Sequence, residues 1–292
     1  MTISPVNGSK LYVGAEGVLT AQLPSPEFAL HKSINGGSNW VESGGFPHQD
    51  NVRITKIAFH PQNDNIVYVS ATEPNGGVYR TPDDGETWDQ RVAGMDITEI
   101  RAVAVSQQNP SILFAGSTTY VGEGFIPARI YKSTNEGITW TTPYTFSTPV
   151  FISDVVFDPT SSLIAYVTTQ ANKLFGIPEP YPGGVLKTTD GGQTWAEKNN
   201  GIINRDVKSI AIDPITPTTL YIATGLSFYF STDGGESWQE RTAGAEIAPT
   251  GGLVAYNDTL TSLVGTDLSL LSSRFLPNAG SFASVCCKQS VF

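Results

Sequence analysis

The sequence is poor in the residues that carry most catalytic and metal chemistry. Three histidines (His31, His48, His60) and two cysteines in 292 residues offer no spacing that would cage zinc. There is no Cys-x-x-Cys pair. The cysteines, Cys286 and Cys287, are neighbours near the end of the chain. A bridge between adjacent residues is strained, so they read as free thiols or a tail feature, not a framework. Neither is fourth from the C-terminus, which rules out a prenylation signal. No apolar run approaches the roughly 20 residues that a membrane-spanning helix requires. Met1–Lys10 has no basic segment followed by an apolar stretch, so no signal peptide is visible. A cytoplasmic protein, a mature form and a fragment of a longer product all remain open. Positive charge is also short: 17 Lys and Arg against 27 Asp and Glu give a net charge of −10. Such a chain repels phosphate backbones and anionic membrane surfaces, so neither nucleic acid nor membrane insertion is expected. Asp-Gly-Gly runs lack the alternating oxygen ligands of a calcium loop, and Gly-Gly pairs lack the strand-to-helix setting of a phosphate cradle. No metal or cofactor is expected.

What the sequence does have is turns and a core. Glycine (29) and proline (19) recur at regular intervals, and hydrophobic residues make up 39% of the chain. Five segments align: Ser33-Ile-Asn-Gly-Gly-Ser-Asn-Trp40, Thr81-Pro-Asp-Asp-Gly-Glu-Thr-Trp88, Ser133-Thr-Asn-Glu-Gly-Ile-Thr-Trp140, Thr188-Thr-Asp-Gly-Gly-Gln-Thr-Trp195 and Ser231-Thr-Asp-Gly-Gly-Glu-Ser-Trp238. Their tryptophans, the only five in the chain, are 48, 52, 55 and 43 residues apart. The hydroxyl of Ser33, Thr81, Ser133, Thr188 or Ser231 and the side chain two residues on (Asn35, Asp83, Asn135, Asp190, Asp233) suit a tight turn stitched to its own backbone. The glycine supplies a left-handed backbone, and the tryptophan opens the returning strand with its ring over the hairpin, closing the edge of its own sheet.

A second pattern precedes each box. Apolar runs end in a polar residue and proline at Ile57-Ala-Phe-His-Pro61, Val155-Val-Phe-Asp-Pro159 and Ile210-Ala-Ile-Asp-Pro214; Val103-Ala-Val-Ser106 lacks the proline. Two further strands follow, and a fourth leaves from the tryptophan. Four short strands per unit of about 40 to 50 residues is the pattern of a propeller blade. The predicted fold is therefore an all-β single propeller over 1–292, with blades at about 1–45, 50–92, 97–146, 150–200 and 205–243 and a degenerate one at 246–285. Six blades are expected, a seven-bladed or truncated ring being the alternative.

These boxes and strands resemble the BNR/Asp-box repeat superfamily, which includes sialidases, sortilin-type receptors, xyloglucanase-type glycosidases and photosystem assembly propellers. The resemblance covers about residues 1 to 245. It implies a propeller and favours a secreted or extracytoplasmic setting, but the same box decorates enzymes and non-enzymes. Asn7-Gly-Ser9 and Asn257-Asp-Thr259 have the form of glycosylation acceptors, a pattern too common to fix a compartment.

In an up-and-down blade the box and the proline corner share one end, which makes His60 a corner residue. The loops between the second and third strands share the other end with the crossovers between blades. Two are long: one carries Tyr120, Glu123 and Phe125, the other Phe175, Glu179 and Tyr181. Aromatic rings beside carboxylates suit a sugar or a peptide, although loops that merely cap the rim are an equal reading. Asp50, Asp96, Asp154 and Asp206 fall near the same end and are the weak candidates for a catalytic pair; Lys56 and Asp154 are candidate channel-lining charges. The sialidase chemistry that the resemblance allows needs a Phe/Tyr-Arg-Ile-Pro motif and three converging arginines. The chain has only Phe125-Ile-Pro-Ala-Arg129 and eight scattered arginines. A xyloglucanase-like hydrolase needs two facing carboxylates, and those enzymes resemble two propellers face to face where this chain makes one. The expectation is a non-catalytic module that binds protein or polysaccharide, with glycoside hydrolysis as the alternative.

Overall fold

A computed structural model describes residues 1–14, 30–46, 52–72, 75–121, 125–171, 183–225, 227–241, 253–256, 259–264, 269–274 and 285–286. Of residues 120–121, 125, 171 and those from 253 onward, it describes the backbone alone. No helix occurs among the described residues. The chain forms two compact units, Met1–Ser147 and Thr148–Phe292.

The first unit holds three four-stranded sheets. One is built from β1 (Thr2–Ile3), β2 (Leu11–Gly14), β3 (Leu30–Ser33) and β4 (Val41–Glu42), and the next from β5 (Arg53–His60), β6 (Asn63–Thr72), β7 (Gly77–Thr81) and β8 (Asp89–Arg91). The third takes β9 (Ile100–Val105), β10 (Leu113–Ser117), β13 (Arg129–Ser133) and β14 (Thr141–Thr145). Between β10 and β13, the stretch expected as a long loop folds back on itself: β11 (Tyr120–Val121) pairs with β12 (Phe125–Ile126). The second unit holds β15 (Val150–Phe157), β16 (Ala165–Ala171), β17 (Gly184–Thr188) and β18 (Ala196–Glu197), then β19 (Val207–Ile212), β20 (Leu220–Thr224), β21 (Phe228–Ser231) and β22 (Gln239–Glu240). A sixth sheet is defined by its backbone pairing: β23 (Leu253–Tyr256), β24 (Thr259–Val264), β25 (Ser269–Arg274) and β26 (Val285–Cys286). Every four-stranded sheet is an antiparallel meander in chain order.

Local chemistry sets both turns at the box end. The first turn of each unit is held by the residue that ends the inner strand. Ser4 Oγ accepts the N–H groups of Val6 and Asn7, and Asp213 Oδ1 those of Ile215 and Thr216. Ser106 and Asp158 accept from Asn109 and Thr160. His60 fills this place in β5, its Nδ1 accepting the Gln62 N–H at 3.1 Å. Burial pushes the His60 pKa down, which favours the neutral ring that this acceptor role demands.

The sheets pack face to face through the strand alternation. Tyr12 and Leu30 of the first sheet meet Ile57, Phe59, Val67, Val69 and Tyr79 of the second. Tyr68 and Val78 of the second meet Ile100, Leu113, Tyr131 and Trp140 of the third. In the second unit Tyr166 and Val185 meet Ile210, Leu220, Ile222, Tyr229 and Trp238. The tryptophans correct the sequence expectation in part. The Trp140 and Trp238 rings lie over the glycine of their own box, but their indole N–H groups donate to the sheet before, at Arg91 O (3.1 Å) and Lys198 O (2.8 Å). Trp88 donates likewise to Ser43 Oγ at 3.1 Å. The ring therefore couples two sheets instead of closing one. Trp140 and Trp238 are 4% exposed, whereas Trp40, which has no sheet before it in its unit, is 38% exposed.

Truncating Trp140 or Trp238 to alanine removes a buried aromatic and an inter-sheet hydrogen bond, with an expected cost of about 3 to 5 kcal/mol in urea unfolding. Trp40→Ala is expected to cost far less under the same conditions. Equal losses at all three positions would contradict this assignment.

Candidate functional site

Two sets of residues bear on function: the boxes at one end of the sheets, and the carboxylates toward the other.

The five boxes share one network. The Ser/Thr hydroxyl donates to the Asp/Asn side chain two residues on, at 2.7 to 3.0 Å. The same hydroxyl accepts the N–H of the box glycine, from Gly37 to Gly235, at 2.8 or 2.9 Å. The Asp/Asn Oδ1 accepts a backbone N–H four residues on, at 2.9 Å in every copy. Where that residue is Thr87, Thr194 or Ser237, its hydroxyl donates to the second carboxylate oxygen at 2.5 or 2.6 Å. These hydroxyl bonds come first among the forces holding Asp83, Asp190 and Asp233 below the usual carboxylate range, Asp233 at about 2. The carboxylates are thus committed to the turn and stay ionised, which suits neither a general acid nor a ligand.

The turn needs two consecutive left-handed residues, not only the glycine. The residue before it also has positive φ, and in two boxes it is Asp84 (60°) or Glu136 (58°). Those side chains, the ones least at ease in that conformation, point back at the preceding sheet. Asp84 accepts the Tyr12 hydroxyl at 3.0 Å and pairs with Lys10 (3.1 Å) and Lys32 (3.5 Å). Glu136 pairs with Arg80 at 2.9 Å, and the Arg80 Nε–H donates to Tyr68 Oη. In the fifth box Tyr166 and Lys187 reach the Gly234 carbonyl at 3.0 and 2.7 Å. Sequence reasoning missed this contact, yet it left a mark. A tyrosine or phenylalanine recurs near the middle or start of the second strand (Tyr12, Tyr68, Phe114, Tyr166, Tyr221). A lysine or arginine stands directly before the box at Lys32, Arg80, Lys132 and Lys187, with Phe230 the exception.

The candidate carboxylates at the other end are placed as follows. Asp96 lies in the crossover from β8 to β9, accepts the Tyr131 hydroxyl at 2.7 Å and pairs with Arg129. Tyr131 Oη in turn accepts the Ile97 N–H at 3.0 Å. Asp206 precedes β19, is 3% exposed and pairs with Lys208 at 3.3 Å. Asp154, expected to line an open channel, is 2% exposed; its Oδ1 accepts the Val155 N–H at 2.9 Å and its Oδ2 faces the Ile210 N–H at 3.5 Å. The bulge of β15 lies before Asp154, between Ile152 and Asp154, and from Asp154 to Val156 the register is unbroken, so Asp154 shares a face with Val156, opposite Thr168 and Tyr166. Lys56 is half-buried on β5. Asp50, Glu123, Phe175, Glu179 and Tyr181 lie outside the described residues, and the side chains of Tyr120 and Phe125 do too, though their backbones sit in β11 and β12. No group of three or more His, Cys, Asp or Glu that could hold a metal occurs among the described residues.

The BNR/Asp-box repeat family matches residues 229–240, the segment of the fifth box. The same residue pattern recurs in the four other boxes. The sequence is similar to xyloglucanase Xgh74A of Acetivibrio thermocellus, 29% identical over 170 residues, which is 49% of this chain and 19% of that protein. The chain spans about one fifth of the length of the xyloglucanases it matches. Among solved structures, an ancestral GH74 enzyme has a TM-score of 0.67 at 19% identity, covering 97% of this chain and 37% of that one. YCF48 bound to D1 peptide gives a TM-score of 0.56 at 14% identity, over 88% of this chain and 75% of the other. Likeness at such identity carries the fold, an all-β propeller of four-stranded sheets.

The box carboxylates make acid sensitivity readable. Their pKa values lie below the unfolded value of about 3.9, so they stabilise the fold above that pH, and the gain is lost as pH falls through the folded values. The triple variant Asp83→Asn, Asp190→Asn, Asp233→Asn keeps the Oδ1 acceptor, as Asn35 and Asn135 do in the native chain. Its stability is expected to fall less steeply between about pH 4 and pH 2 than that of the parent. Parallel profiles by urea unfolding would contradict the assignment.

Proposed function

We propose that this chain is a non-catalytic Asp-box propeller that binds a polysaccharide of the β-glucan class, with the loop end opposite the boxes as its binding face. The observation that carries this reading is the state of the candidate carboxylates. Asp96 is tied to Arg129 and Tyr131, Asp206 is buried against Lys208, and Asp154 is buried on backbone N–H groups. Glycoside hydrolysis needs one carboxyl kept protonated at the leaving oxygen and another aimed at the sugar or its water, about 5 to 9.5 Å apart across a groove. A carboxylate held by a cation or by donated N–H groups is committed to those partners. The polysaccharide class is supported by the xyloglucanases that the sequence resembles. Binding by aromatic rings and polar loop groups on a rigid sheet scaffold would not require catalysis. Tyr120, Phe125, Phe175 and Tyr181, with Glu123 and Glu179, are the residues proposed to line that face.

Hydrolysis is the second reading, and it rests on the same relatives. Because the chain matches about one fifth of their length, their whole activity does not transfer to it by similarity.

Affinity electrophoresis in gels cast with xyloglucan, run beside a reducing-sugar assay, separates the two. Retardation without release of reducing ends is the expected result. Release that disappears in Asp96→Asn or Asp206→Asn would overturn the non-catalytic reading. No retardation, together with binding to a peptide array, would overturn the polysaccharide assignment.

A further inference from the structure

Four Asn-Gly pairs occur in the chain: Asn7-Gly8, Asn35-Gly36, Asn75-Gly76 and Asn200-Gly201. Such pairs are prone to self-modification, because a glycine N–H is unshielded by a side chain and attacks the preceding carboxamide. The four differ sharply in what restrains them. Asn35 is locked in its box, its Oδ1 accepting the Ser33 hydroxyl and the Asn39 N–H, and the Gly36 nitrogen donates to Ser9 O at 2.9 Å. The Asn75 carbonyl accepts the Tyr79 hydroxyl at 2.6 Å, and Gly76 is wedged so tightly that a Cβ there would sit 2.3 Å from Thr98 O. The Asn200 carbonyl accepts the Trp238 N–H at 2.9 Å, with Gly201 pressed against the Trp238 backbone. Asn7 and Gly8 are exposed in the turn between β1 and β2, and nothing lies within 4 Å of a Cβ built on Gly8. The Gly8 N–H has no partner among the described residues, and the Asn7 side chain takes one bond, from the Ser9 N–H at 3.1 Å.

We propose that Asn7 is the chain's site of spontaneous deamidation. The Gly8 nitrogen, losing its proton to solvent hydroxide, forms a bond to Asn7 Cγ. The Cγ–Nδ2 bond breaks and the side-chain nitrogen leaves as ammonia, giving a five-membered succinimide. Water then opens either carbonyl to leave aspartate or isoaspartate; no oxidant or reductant is consumed. The isoaspartyl product routes the main chain through the side chain, lengthening it by one methylene in a turn that matters. The Asn7 carbonyl accepts the Lys10 N–H, and Lys10 carries the charge that meets Asp64 and Asp84 of the next sheet. Ageing at Asn7 therefore loosens the coupling of the first sheet to the second.

The test is incubation of the whole protein in warm, mildly alkaline buffer, followed by peptide mapping and enzymatic labelling of isoaspartate. Asn7 is expected to convert roughly tenfold faster than each of the other three pairs. Gly8→Ala is the companion variant: Gly8 has ordinary backbone angles and open space, so the fold tolerates it, while the added Cβ shields the nitrogen. Conversion at Asn7 is expected to fall about tenfold or more in that variant. Conversion led by Asn35, Asn75 or Asn200, or an unmodified Asn7 after prolonged incubation, would overturn the proposal. So would an unchanged Asn7 rate in a folded Gly8→Ala protein.

Discussion

The contact on which the packing within each unit depends is the docking of a box onto the sheet before it, made by the second and third boxes in the first unit and by the fifth in the second. A four-stranded meander with an outer strand of two to five residues buries too little apolar surface to stand alone. What makes such sheets into a structure is a repeated joint. The box turn presents two left-handed residues, and the preceding sheet supplies a tyrosine hydroxyl and a lysine or arginine to meet them. Trp88, Trp140 and Trp238 return a hydrogen bond to the same neighbour. Polar and apolar parts of the joint reinforce each other, because the tyrosine and the tryptophan also belong to the inter-sheet core. The cations are nearly buried, Lys10 at 6% and Lys32 at 9% exposure, so losing their partners strands charge in a poorly hydrated place.

The sheets were legible in the sequence because each turn is chemically specified. Ser231, Asp233 and Gly235 announce a hairpin with or without neighbours, since their hydrogen bonds close within the box. The corner residues, His60 among them, are legible for the same reason. The joints were less so. Nothing in a single box says that Asp84 looks outward to Tyr12 and Lys32, 72 and 52 residues away. Only the recurrence of an aromatic on one strand and a cation on another, in step with the box, carries that information. Trp140 was read as a lid on its own hairpin because sequence neighbours are all that a local pattern can show. Alternation did put Asp154 on one face with Val156, but its burial at 2% exposure depends on neighbours that residue type in one strand does not reveal.

The same logic explains why fold is firmer here than activity. The repeat spends its conspicuous residues on architecture, and its acids, hydroxyls and indoles are consumed by turns and joints. On the proposed reading, recognition falls to the connections at the ends of the sheets opposite the boxes, where the sequence is least regular. A propeller of this kind offers a rigid frame on which loops vary freely, and a binding role needs less of those loops than hydrolysis does.

The joint between sheets is tested most directly by a double-mutant cycle on Lys32 and Asp84, whose partners lie on different sheets. With Lys32→Met, Asp84→Asn and the double variant measured by urea unfolding, the account predicts a coupling of about 1 kcal/mol or more. Additivity within about 0.3 to 0.5 kcal/mol would show that the two side chains act independently, and the joint would lose its polar half.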